Sequence, residues 1–89
     1  MRACRIDNNQ PEIVKFFREQ EFSVLIISTL KNCCDIVIAK NGKTAMIEIK
    51  DGPKKKLTPG ETKFRDEWKG QWNLITSIKD ATDILGYFE

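Results

Sequence analysis

The sequence contains no histidine. That excludes every scheme needing an imidazole, including a Ser-His-Asp triad and the HNH-type nuclease site. Cysteine is scarce: Cys4, Cys33 and Cys34 make an odd count, and the last two are neighbours poorly placed to bridge each other. A reduced compartment is the simple reading, and without histidine or a CxxC spacing nothing supports a zinc site. There is no run of about 18 apolar residues and no signal-peptide pattern, so a cytoplasmic protein without membrane contact is expected. Neither sign of charge dominates, and the net charge of +2 says little about partners. Repeats, linkers and low-complexity segments are missing too. At 89 residues, 40% hydrophobic and 31% charged, the chain reads as one globular domain near the lower size limit for folding alone. Such a domain gains from association.

What is there is organised around residues 35–50, DIVIAKNGKTAMIEIK. Two apolar, β-branched runs, Ile36-Val37-Ile38 and Met46-Ile47-Glu48-Ile49, flank Asn41-Gly42. Asn-Gly in that setting signals a hairpin, because a type I′ turn needs positive φ at both central residues. Lys40 then pairs with Lys43, and counting outward sets Asp35 opposite Glu48. Facing carboxylates, with Cβ atoms about 5 Å apart, repel each other. Strand alternation puts Lys50 on the Glu48 face. Two carboxylates and an ammonium at one hairpin end suit a hard cation that keeps some water, Mg²⁺ or Mn²⁺. The lysine could orient or deprotonate a water, or stabilise charge on a phosphate, as in metal-assisted phosphodiester hydrolysis. The competing reading makes Asp35 and Lys50 a diagonal surface ion pair.

Asp35 followed by Glu48-Ile49-Lys50 resembles the D…ExK signature of the PD-(D/E)xK nuclease superfamily. The continuation Lys50-Asp51-Gly52, a basic loop and Leu57-Thr58-Pro59-Gly60-Glu61 is similar to the small stand-alone VRR-NUC-type nucleases of phages and prophages, relatives of Holliday junction resolvases. The likeness runs from Asp7 to about Leu85. One departure is Cys34, where the family usually has proline before the aspartate; it shapes the strand start and is not a ligand. The resemblance implies a restriction-endonuclease-like fold, a homodimer, and a metal held by Asp35, Glu48 and the Ile49 carbonyl, with Lys50 positioning the attacking water. It also implies an acidic residue of the first helix reaching into the metal site, and Glu12 is the best match by position. A solvated first-turn glutamate favoured by the helix dipole is the alternative for Glu12.

Around this centre, Asp7 to Pro11 reads as a helix start in capping-box spacing, with Ile13, Phe16, Phe17 and Gln20 as the buried stripe. Phe22–Ser28 is apolar enough for a central strand covered on both faces. Lys54, Lys55 and Lys56 would be a solvated run in isolation; beside a phosphodiester site they become phosphate-backbone contacts. Thr58, Pro59 and Glu61 form a helix start in which Glu61 reads as a cap rather than a ligand. The helix presents Phe64 and Trp68, and Gly70 ends it. Residues 71–76 alternate as the last strand, with Trp72, Leu74 and Thr76 on one face. Ala81, Ile84, Leu85 and Phe88 then mark a final helix.

The order α-β-β-β-α-β-α indicates a three-layer α/β domain around a four-stranded mixed sheet. The expected function is a Mg²⁺-dependent endonuclease on duplex or branched DNA, with four-way junctions favoured, acting in the host cytoplasm if phage-encoded. The expected dimer surface includes Trp68 or Trp72. A DNA-binding module without cleavage is the main rival, and a regulatory protein binding a partner enzyme is the least supported reading.

Overall fold

A computed structural model describes residues 7–30, 33–52 and 55–89. The turn at Asn41-Gly42 closes with both residues at positive φ, 56° and 79°. Strands β2 (Ile36–Lys40) and β3 (Lys43–Ile49) therefore pair in the expected register, Lys40 facing Lys43 and Ile36 facing Ile47. β1 (Ser23–Ile26) adds antiparallel to β2, and β4 (Gln71–Ile75) adds parallel to β3. The result is an α/β fold: a four-stranded mixed sheet, order β1-β2-β3-β4, flanked by helices. The helices are α1 (Gln10–Glu19), α2 (Pro59–Glu67) and α3 (Ile78–Asp83), the last followed by a 3-10 turn over Leu85–Phe88. No described helix is long and apolar enough to cross a membrane.

Alternation sends Ile36, Ile38, Ala45, Ile47 and Ile49 to one face, where all are buried with Ile75. Ile13, Val14 and Phe17 of α1, with Ala81 and Phe88, cover that face. Phe22 bridges the aromatic part of the core, edge-on to Phe17 and Phe88 at 5.1 and 4.9 Å. The opposite face carries Val37, Met46 and Glu48, and α2 meets it through Glu61.

Several expectations are corrected. β1 is an edge strand, with Leu25 65% and Ile26 54% exposed. A β-branched composition reports a strand, but not how many neighbours it has. Gln20 lies past the end of α1 and is exposed; Val14 fills the stripe instead. The capping box at the start of α1 does not form: Asn9 is the N-cap, without a side-chain cap bond. In β4 the buried residue is Ile75, while Leu74 on the Trp72 face is 38% exposed. The final helix breaks at Ile84 into the 3-10 turn, yet Ala81 and Phe88 still reach the core.

α2 buries no residue, so its start depends on its cap. Glu61 N–H donates to Thr58 Oγ1 at 3.2 Å, and Thr58 N–H donates back to Glu61 Oε1 at 2.9 Å. Past its end, a Cβ on Gly70 would sit 2.9 Å from the Trp68 indole nitrogen, so only glycine fits without moving that ring.

Candidate metal and phosphate site

The C-terminal end of β3 opens into a cleft of about 450 Å³. Asp7, Asp35, Glu48, Lys50 and Glu61 line it, with Lys55 and Lys56 at its border. Ile49 lines it as well although its side chain is only 2% exposed, so the backbone of Ile49 is what faces the cleft. The regular ladder ends at Ile36 opposite Ile47, and Asp35 N–H donates to the same Ile47 carbonyl at 2.9 Å, one residue out of register. The hairpin end is therefore bulged, and Asp35 is not in the regular pair with Glu48 that the turn alone predicts. The Asp35 side chain then turns back, and its Oδ2 accepts the Ile49 N–H at 2.7 Å. That bond fixes the carboxyl beside Glu48.

Glu48 is 3% exposed. Burial, then the charges of Asp35 and Glu61, push its carboxyl up to about 9 despite Lys50. Burial also raises Asp35, although the Ile49 N–H and a hydrogen bond with Glu48 oppose the rise. Both carboxyls are thus held above the ordinary carboxylate range, and they titrate as a pair. Lys50 does not pair with Asp35, which removes the surface ion-pair reading. Its ammonium lies 2.8 Å from Glu61 Oε1 and 3.6 Å from Glu48 Oε2, and its side chain is 13% exposed. Burial alone would lower Lys50, but the hydrogen bond to Glu61 and the charges of Glu48 and Glu61 outweigh it, so Lys50 stays an ammonium. Glu61 both caps α2 and anchors Lys50; those bonds overcome its burial and hold it below the usual carboxylate range.

Glu12 is a correction. It is exposed on the first turn of α1 and does not line the cleft. The acidic residue that reaches the cleft from this part of the chain is Asp7, whose Oδ2 accepts the Asp51 N–H at 2.7 Å. Its sequence signal was ambiguous, since Asp7, Asn8 and Asn9 are all good helix caps and only one can serve. Lys55 and Lys56 are exposed at the cleft, while Lys54 lies outside the described residues.

Among the described residues, no three acidic or cysteine side chains already converge on one ion-sized point. The donors that fit a hard cation are therefore two carboxylates, Asp35 and Glu48, completed by the Ile49 carbonyl and by water.

A stability consequence follows. The folded protein keeps the Glu48 proton up to about pH 9, while the unfolded chain releases it near the ordinary value of 4.5. Between those values the folded state binds more protons, so stability falls as pH rises, by at most about 1.4 kcal/mol per pH unit. The raised Asp35 adds to the same trend. In EDTA, the melting temperature should drop from about pH 5 to about pH 8, and Glu48→Gln should flatten the slope. An unchanged slope in that variant would show that the proton resides elsewhere.

The chain matches no protein-family model, no curated protein and no solved structure.

Proposed function

We propose that the protein is a Mg²⁺-dependent endonuclease that hydrolyses DNA phosphodiester bonds, acts in the cytoplasm, and selects branched or four-way-junction DNA. One observation carries this reading: two neighbouring carboxyls, Glu48 buried and Asp35 half-buried, open into a cleft beside a fixed ammonium and exposed lysines. Asp35, Glu48 and the Ile49 carbonyl would hold Mg²⁺, or Mn²⁺ in its stead. The ion supplies charge stabilisation and a more acidic water. Lys50, kept cationic by Glu61, orients the attacking water and meets the negative charge that develops on the phosphate. Lys55 and Lys56 grip neighbouring phosphates, releasing counterions from the DNA.

The decisive assay incubates duplex, flap and four-way-junction DNA with the protein in Mg²⁺ and in EDTA. Nicking that requires the ion supports the enzyme. A gel shift without nicking selects the rival reading, a binding module, which has no need of opposed carboxylates.

Two copies would give one active site for each strand of a symmetric junction. Trp68, 42% exposed, is available for that contact, and the more exposed Leu25 and Ile26 lie on the outer edge of β1. Sedimentation at micromolar protein should show a species of twice the 10.3 kDa chain mass; a monomer alone would count against the dimer.

A further inference from the structure

Asn9 is 8% exposed and stands at the N-cap of α1, yet its side chain caps nothing. Asparagine at an N-cap ordinarily accepts a backbone N–H of the first turn through its side-chain oxygen. Here Oδ1 is buried and has no hydrogen-bond partner. The side chain is instead turned to use its nitrogen: Nδ2 donates to the carbonyl of Lys50 at 3.1 Å and to the carbonyl of Thr76 at 3.2 Å. Forgoing a local cap and leaving a buried oxygen unmatched are both unfavourable, so the long-range bonds are what the position serves.

Those bonds land where the ladder stops. Lys50 and Thr76 are the first residues beyond β3 and β4, and the last rung is Lys50 N–H to the Ile75 carbonyl at 3.1 Å. The Lys50 carbonyl and the Asp51 N–H belong to one peptide unit. Asn9 holds its oxygen, and Asp7 Oδ2 holds its N–H at 2.7 Å. A peptide plane gripped at both ends cannot rotate, which fixes the backbone torsions on either side and hence the direction in which Lys50 leaves the chain.

We propose that Asn9 is a positioning residue: with Asp7 it clamps the 50–51 peptide, and so aims the Lys50 ammonium into the cleft between Glu48 and Glu61. The inference rests on the nuclease reading for its catalytic consequence, though the clamp itself does not need it. It also accounts for Gly52, whose φ of 116° lets the chain turn away directly after the clamped unit.

Asn9→Asp separates positioning from capping. Aspartate is isosteric and caps helices as well as asparagine does, but an ionised carboxylate has no hydrogen to give two carbonyls. Asn9→Ser, another good cap, carries the test if the aspartate variant does not fold. Turnover at saturating junction DNA and Mg²⁺ should fall about 10- to 100-fold, with KM for DNA and the Mg²⁺-induced melting shift near the parent's. Hydrogen exchange at the Asp51 amide should accelerate, while core amides such as those of Phe17 and Ile38 keep their protection. Parental turnover in a folded variant would overturn the positioning role, and unchanged Asp51 exchange would overturn the clamp. Should the parent itself fail to cleave, the nuclease reading falls together with the catalytic consequence, and exchange at Asp51 alone decides the clamp.

Discussion

Replacing Asp35 with asparagine should make the metal-free protein more stable and the Mg²⁺-loaded protein nearly inactive. The gain comes from removing one of two neighbouring carboxyls, worth roughly 0.2–1 kcal/mol. For a domain of this size that is roughly 1–8 °C in melting temperature. Asparagine can still accept the Ile49 N–H through its oxygen, so the hairpin end keeps its bond, and its amide can donate to Glu48. The gain should grow as pH rises from about 7 towards about 9, because at neutral pH a proton on Glu48 already relieves the repulsion. The variant also loses an anionic ligand, so excess Mg²⁺ should raise its melting temperature less than the parent's. Cleavage should fall at least about 100-fold, since an ion's stabilisation of the transition state is worth several kcal/mol and about 1.4 kcal/mol is tenfold. Melts of both proteins in EDTA and in Mg²⁺ check this. A lower apo melting temperature would make Asp35 a structural residue, and equal Mg²⁺ shifts would put the ion elsewhere.

Lys50→Ala should behave in the opposite way. The ammonium is the partner of Glu61 at 2.8 Å and a neighbour of Glu48, so its loss leaves both carboxyl groups without it and lowers apo stability. Mg²⁺ should bind at least as well, because a competing positive charge has gone. Cleavage should nonetheless drop about 100- to 1,000-fold, the range for removing one preorganised group that meets transition-state charge. DNA binding in Ca²⁺, which supports no turnover in this expectation, should be near parental. Substituting Lys55 and Lys56 by alanine reverses the pattern: binding weakens, its salt dependence flattens, and turnover at saturating DNA survives. Normal cleavage by Lys50→Ala would remove the lysine from the mechanism.

The central hairpin was legible because its determinants are local. Asn41-Gly42 sets the turn, and the turn sets the register as far as Ile36 opposite Ile47; the bulge at Asp35 beyond it has no signal in the turn. The start of α2 was legible for the same reason, through Thr58 and Glu61. What failed depended on distant partners. Leu25 and Ile26 look like core residues until the missing neighbour of β1 is known. Asp7 looks like a cap until the 50–51 peptide arrives beside it, and Glu12 looks close to the site until the helix starts at Gln10 and turns it outward. Glu61 was read as a cap alone, because nothing near it in sequence reveals that Lys50 comes within reach.

The two-residue turn between β2 and β3 also bears on the order of folding events. A hairpin closes within about 1–10 μs, far sooner than contacts between distant segments form. Asp35 and Glu48 therefore meet while α1 and α2 are still undocked, before Glu61 can bring Lys50 into its pair and before Asn9 reaches the 50–51 peptide. With those helices undocked the pair lies in water and both carboxyls are ionised at neutral pH, so alkaline conditions should hasten unfolding, where the buried proton is lost, more than they retard folding.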